Sequence, residues 1–260
     1  MTQPAPIAPV FRTSLAQSAE DLRAAQRLRY AVFVEELGGG GAMVDHEARL
    51  EQDRFDPYFD HLLLRDITRP EGAQVVGVYR LLRAEGARAA GQFYSEDEYD
   101  LGVLRRSGRR ILELGRSCLL PHYRGGAGMF HLWNALAAYV AAHKIEILFG
   151  VASFHGTDRA ALAPPLSLLH HAHLAPPELR VVARGAHAMD MDMIAAADLD
   201  RRAAVLEIPA LIKAYLRLGG FVGQGAFVDH AFNTTDVCLV LDTHSMNARQ
   251  RSIYTRQAHP

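Results

Sequence analysis

Two charges stand inside one apolar run of this 260-residue chain, Ile111-Leu-Glu113-Leu-Gly115-Arg116-Ser117-Cys118-Leu-Leu120. A carboxylate and a guanidinium in a strand-like segment are expensive to bury unless they are paired. Pro121-His-Tyr-Arg124-Gly125-Gly126-Ala-Gly128 follows at once, and then a helical pattern. A strand, a glycine-rich turn and a helix start form a cradle for phosphate, because exposed N–H groups and the helix dipole both favour an anion. Other charges interrupt apolar patterns upstream. Arg29 lies one helical turn before Phe33, Glu51, Asp53 and Asp56 crowd one loop, and Arg80 sits inside Val75–Leu82. Period-two alternation puts Arg80 on the face of Val76, Val78 and Leu82. So many costly charges in one stretch indicate a binding site beside a cofactor-arm site.

The elements that must position these residues can be read from periodicity. Val10–Ser14 reads as an edge strand. Ala19–Leu37 reads as a helix with Ser18 as its N-cap and Glu20 and Asp21 in its first turn, stopped by Gly38–Gly41. Strands are expected at His61–Asp66, Gln74–Arg83, Arg110–Leu120 and Glu146–Ala152, with a helix at Gly126–Lys144 whose stripe is Met129, Leu132, Trp133, Leu136, Ala137 and Val140. A helix at Asp158–His173 is expected to break at Pro164-Pro165, and residues 174–200 give no clear pattern. A helix from Pro209 to Leu218 and strands at Phe221–Val228 and Val237–Leu241 close the chain. Glu113 and Arg116 are three apart, so a regular strand would put them on opposite faces. Gly115 between them marks a candidate bulge that re-aims one side chain and opens the strand edge.

In order, Arg29-x-x-x-Phe33, Asp53-x-x-Asp56, Arg80 and Glu113-x-x-Arg116 resemble the homoserine-lactone autoinducer synthases. The chain resembles the bacterial ornithine-lipid Nα-acyltransferases more closely over about residues 20–241. That match rests on Phe93-Tyr-Ser-Glu96, Glu113-Leu-Gly-Arg-Ser-Cys118, Leu132-Trp133 with Tyr139, Phe149-Gly with Ser153-Phe154, Tyr215-Leu-Arg-Leu-Gly219, and Val228-Asp229 with Phe232-Asn-Thr. The resemblance implies an α/β (α+β) GNAT-type N-acyltransferase fold, a mixed twisted central sheet flanked by helices. The order of strands and helices agrees with that fold and is read as a single domain at 10–245, with a Pro/Ala-rich flexible tail at 1–9 and a C-terminal tail at 246–260. The resemblance also implies transfer of a 3-hydroxyacyl group from acyl carrier protein to ornithine, without a resident cofactor, since 4′-phosphopantetheine arrives on the carrier.

On that resemblance, Glu113 is the first choice for the base that takes the amine proton, with a salt bridge to Arg80 or Arg116 as the alternative. Arg116 and Ser117 complete the catalytic set, and a backbone N–H freed at Leu114 or Ser117 would serve the oxyanion. Arg29, Phe33, Glu51, Asp53, Asp56 and Arg80 form the acceptor site. The two aspartates either complete an ion-pair network or bind ammonium groups. Arg124, Gly125, Gly126 and Gly128 would meet the pantetheine phosphate. Counted from Arg124, the small positions of the usual acyl-CoA loop become Ala127 and Met129, a departure from the CoA pattern that is compatible with a protein-carried arm. Arg105, Arg106, Arg109 and Arg110 fall within six positions and are expected to dock the acidic carrier.

A net charge of −1 gives no argument for nucleic acid. Cys118 and Cys238 lie in apolar runs and suit a reducing compartment. The N-terminus has no signal-peptide pattern, and no run approaches the roughly 18 apolar residues that span a bilayer. The expectation is a cytoplasmic protein with the inner-membrane surface as a peripheral contact. Three rival motifs are weaker. His61-x4-Asp66 places its ends on opposite strand faces, Cys118 has no adjacent base, and His170, His171 and His173 near a helix end read as solvated rather than metal-bound, so no metal is expected. Rival functions are another amine acceptor, such as a different amino acid or S-adenosylmethionine, and a non-catalytic acyl-carrier or lipid-binding module.

Overall fold

A computed structural model describes residues 8–125 and 127–246; residues 1–7, Gly126 and 247–260, which hold most of both expected tails, lie outside the described residues. The chain divides into two compact units, residues 1–81 with 116–139 and residues 82–115 with 140–260.

In the first unit, α1 (Ala19–Arg29) begins as expected: the Ser18 hydroxyl accepts from the Asp21 N–H at 3.1 Å, with Glu20 and Asp21 at the positive end of the helix dipole. Regular winding ends at Arg29 rather than at Leu37. Tyr30–Glu36 is a π-helical segment in which the Leu37 N–H reaches back five residues to the Val32 carbonyl at 3.2 Å. Such widened turns occur mostly at functional sites, and this one lies between Arg29 and the loop that carries Glu51. Strands β1 (Phe11–Leu15), β2 (Asp60–Asp66), β3 (Val75–Arg83) and β4 (Ile111–Leu119) follow one another in sheet order. The β1/β2 and β2/β3 pairs are antiparallel, with a register shift at Leu64/Arg65. Ala25, Leu28 and Val32 pack against Leu63, Val78 and Cys118, so the sheet face that carries Arg80 is covered by α1. On the other face, a Cβ on Gly77 would come within 2.5 Å of the Leu119 side chain; this glycine permits close packing.

In the second unit, the first half of β4 pairs in parallel with β5 (Ile147–His155), from Ile111↔Ile147 to Glu113↔Phe149. There the described ladder ends. Gly150, at φ +156°, comes so close to the Leu114 carbonyl that a Cβ would lie 2.1 Å from its oxygen, and Arg116 carries φ +50°. The strand is therefore irregular around Gly115, as its sequence suggests, but Arg116 adopts the left-handed conformation. For a non-glycine residue this costs on the order of 1–3 kcal/mol, which the surroundings must hold. Next to β5, antiparallel, lies β7 (Thr234–Asp242), followed by β6 (Ala226–Asp229) and the short strand Ala188–Met189.

Helix α2 (Ala127–Ala142) lies where expected. Helix α3 (Arg159–His173) corrects one expectation: it runs through Pro164-Pro165 unbroken. The prolines remove donors to the Ala160 and Ala161 carbonyls. Against that loss, Leu162, Pro165, Leu166, Leu168 and Leu169 are all buried along the helix. Helix α4 (Ala210–Arg217) ends near Gly219, which has φ +88°. Among the described residues no helix is long and apolar enough to cross a membrane.

Candidate active site

The first unit buries a compact charge network. Arg29, at the last turn of α1, meets Asp56 with a two-pronged contact, Nη1 to Oδ1 at 2.7 Å and Nη2 to Oδ2 at 3.0 Å. Its Nε donates to the Glu51 carboxylate, and Nη2 also reaches the Glu51 carbonyl at 2.6 Å. Arg80 donates from Nη1 to Asp53 and to Asp56, each at 2.7 Å, and its guanidinium stacks 4.3 Å from the centre of the Phe59 ring. Arg116 donates to Glu51 at 3.1 Å and lies 5.8 Å from the centre of the Phe33 ring. Three guanidinium groups thus face three carboxylates, and the charges balance.

Burial divides these groups. Arg29, Arg80, Glu51 and Asp56 are 0–3% exposed, whereas the Asp53 and Arg116 side chains are 19% and 15% exposed and form the outer edge. Asp56 accepts a further bond from Gln26 at 2.9 Å, so both its oxygens are used. Of the two roles open to the aspartates, Asp56 fills the structural one, while Asp53 keeps an accessible face. Burial by itself would raise the Glu51 carboxyl, but Arg116, Arg29 and Arg80 outweigh it and hold it at about 2. The Asp56 carboxyl is driven down in the same way, chiefly by Arg29. Burial would discharge Arg29, yet Glu51 and Asp56 keep it more firmly charged than an ordinary arginine.

Glu113, in the second unit, is 1% exposed and held differently. Its carboxylate accepts from the Tyr94 N–H at 2.7 Å, from the Ser95 N–H at 2.6 Å and from the Ser95 hydroxyl. The donors belong to the 3-10 turn Tyr94–Asp97, which is itself capped by Glu96 on the Phe93 N–H. The fragment Phe93-Tyr-Ser-Glu96 is therefore a socket for Glu113. Ser117, just beyond the irregular point of β4 and in the first unit, has a buried hydroxyl with no partner among the described residues.

The glycine-rich turn is less open than its sequence suggests. Arg124 is clamped by Glu36 (2.5 and 2.6 Å) and also donates to the Leu119 carbonyl, so its charge is already matched. Gly125 takes φ +72°, Gly126 lies outside the described residues, and a Cβ on Gly128 would meet the Tyr123 carbonyl at 3.0 Å. A pocket of about 320 Å³ adjoins this helix start, lined by Phe11, Asp66, His122, Tyr123, Ala127 and Gly128.

The arginines expected to dock the carrier are mostly paired. Arg105 binds Glu96 at 2.8 Å, Arg109 grips Asp242 at 2.5 and 2.8 Å, and Arg110 donates to the Lys144 carbonyl at 2.5 Å. Arg106 is exposed and has no ion pair among the described residues. Arg105 and Arg109 line a pocket of about 440 Å³ with Arg88, Phe93 and Ile111.

His61 and Asp66 are separately engaged, as the opposite-face argument requires: His61 meets the Asp56 carbonyl, and Asp66 accepts from Thr68 and Tyr123. Burial pushes the Cys118 thiol up to about 12. His170 and His171 approach Asp192 at 3.8 and 3.3 Å, a grouping that the expectation of solvated histidines did not include. The sequence reading missed Gln26, although it precedes Arg29 by three residues on one helix face, a visible signal. It also missed the Glu36 partner of Arg124, which depends on distant pairing and leaves no local sign.

A family model described as an acetyltransferase (GNAT) domain matches residues 28–134. Over 249 residues the chain is 62% identical to the L-ornithine N(alpha)-acyltransferase of Rhodobacter capsulatus, covering 95% of each chain. It is 42% identical over 249 residues to the protein of that name from Brucella abortus, covering 94% of this chain and 89% of the other. Among solved structures, the AHL synthase LasI matches with a TM-score of 0.52 at 15% identity, over 97% of this chain and 98% of that one, a likeness of fold.

Proposed function

Because this chain belongs to the family of L-ornithine N(alpha)-acyltransferases, we propose that it moves a long-chain 3-hydroxyacyl group from acyl carrier protein to the α-amine of ornithine, giving lyso-ornithine lipid. It is an acyltransferase on the GNAT fold. The observation that carries the acceptor is the near full-length agreement with relatives named for ornithine.

The chemistry is direct transfer. The ornithine ammonium loses a proton, the amine attacks the thioester carbonyl, the C–N bond forms, and the tetrahedral intermediate breaks its C–S bond to expel the pantetheine thiolate, which takes up the second proton that the nitrogen sheds. In our reading Glu113 receives the amine proton through a water, since protein donors already occupy its carboxylate. A backbone N–H at Leu114 or Ser117 faces the oxyanion, and the unpartnered Ser117 hydroxyl supports a polar ligand near that residue. Arg116, with Phe33 beneath it, grips the acceptor carboxylate, and Asp53 meets an ammonium group. Arg29, Arg80, Glu51 and Asp56 hold these two in place. A carrier-borne arm suits a glycine turn whose arginine is neutralised by Glu36. The product is an amphiphile, and the reaction runs in the cytoplasm at the inner-membrane surface.

Incubating the protein with radiolabelled amino acids and 3-hydroxyacyl carrier protein tests this: ornithine is acylated, and a different preferred amino acid, or no transfer, overturns it. Cys118→Ala retains most activity because a thiol held near 12 is not ionised at neutral pH. A trapped thioester on Cys118 would replace direct transfer with a two-step route.

A further inference from the structure

We propose that His61 is a positioning residue of the acceptor site, a neutral imidazole whose Nε2–H fixes the Asp56 main chain so that the Asp56 carboxylate can bridge Arg29 and Arg80. This rests on the reading of the Arg29–Arg80 network as support for the acceptor site.

His61 is 4% exposed, and its Nε2 lies 3.0 Å from the Asp56 carbonyl oxygen. A carbonyl only accepts, so Nε2 must carry the hydrogen. The second ring nitrogen, Nδ1, is buried and has no partner among the described residues. A proton there would find no acceptor. The ring is therefore confined to one tautomer.

The position explains the choice of residue. In the β2/β3 register His61 stands opposite Arg80, so the two side chains leave the same face of the sheet. Asp56 begins a 3-10 turn through Pro57; its N–H bonds the Asp53 carbonyl at 3.2 Å and its own carbonyl is taken by His61. The main chain is thus held on both sides of this residue, which presents its carboxylate to the two arginines. Burial, with Arg29 and Arg80 nearby, holds the imidazole below its ordinary pKa, against the opposing pull of Asp56. A lysine or arginine donor would add a fourth cation to a balanced set. A neutral N–H donor does not.

Two measurements test this. In the wild-type protein, ¹⁵N NMR of the His61 ring is expected to show a protonated Nε2 and an unprotonated Nδ1 at neutral pH; the opposite tautomer, or an imidazolium, overturns the proposal. In kinetics, His61→Phe keeps the volume and loses the donor, and is expected to raise the KM for ornithine by about ten-fold, the worth of roughly one hydrogen bond, while the KM for the acyl carrier substrate stays put. His61→Gln, whose amide N–H can reach the same carbonyl, restores most of the loss. Equal changes in both KM values, or no rescue by glutamine, overturn it. If the wild-type enzyme does not acylate ornithine, the functional reading fails by that result alone, and the tautomer measurement still decides the role of His61.

Discussion

Glu113 and the Arg29–Glu51–Asp56–Arg80 cluster are equally buried, but each unit of the chain solves the cost of a buried charge in its own way. The cluster cancels charge with charge, through long side chains drawn from a helix end, a loop and a strand. For Glu113, neutral donors take a large share of the work: two main-chain N–H groups and a serine hydroxyl from one turn bond its carboxylate. In the first arrangement, removing one partner strands the others. In the second, the donors belong to a turn with its own cap, so the carboxylate can change while the turn stays in place.

The largest effect belongs to the Glu113 socket. Glu113→Gln keeps the size and one acceptor oxygen but removes the proposed base, and is expected to lower turnover by about 10²–10⁴-fold per folded molecule. Ser95→Ala removes only the hydroxyl contact and costs about 0.5–1.5 kcal/mol in stability with turnover largely kept. Denaturation midpoints measured beside rates separate the two. If Glu113→Gln loses stability but not rate, the residue serves only as an anchor for the turn.

The charge network is next. Arg29→Met leaves Glu51 and Asp56 buried without their main partner, and breaking such a pair costs about 3–5 kcal/mol. Urea unfolding measures it directly. A loss under about 1 kcal/mol would mean that water reaches the cluster and that its burial counts for little.

How much of this was legible in the chain differs along the same line. Alternation and apolar stripes gave β2, β3, β5 and α2 near their observed limits, because each buries one continuous face. Charges inside apolar runs marked Arg29, Arg80, Glu113 and Arg116, since such placement is costly without a partner. Their partners were less visible. The Ser95 socket is made of main-chain N–H groups, which any residue can supply, and Glu36 meets Arg124 across 88 positions. The π-wound Tyr30–Glu36 segment has an ordinary helical pattern, and Pro164-Pro165 reads as a break that the buried leucines of α3 override.

Acid should separate the two arrangements more gently. Glu51 is held near 2 when folded, against an ordinary 4.5, so its contribution is complete above about pH 4.5 and is lost as pH falls toward 2. The wild-type protein should therefore lose stability steeply across that window. Glu51→Gln, already weaker at neutral pH, should fall less, so the gap between their urea midpoints narrows with acid. A gap that stays constant from pH 5 to pH 3 would show that Glu51 titrates like an exposed carboxylate.

The smallest expected effect concerns charges at the surface, where pairing with solvent-exposed partners is weak. Arg109 is committed to Asp242, so reversing it would damage the second unit as well as any docking. Arg105 and Arg106 are exposed and give the cleaner test. Steering by such charges acts mainly on the association rate and is screened within a Debye length of about 8 Å at physiological ionic strength. Arg105→Glu with Arg106→Glu should lower turnover with acyl carrier protein on the order of ten-fold at low salt, make the remainder less sensitive to salt, and spare a small acyl-pantetheine thioester. Equal loss with both donors would assign Arg105 to the pocket it borders and to the turn that holds Glu113, because Arg105 also binds Glu96; the carrier would then dock on another surface.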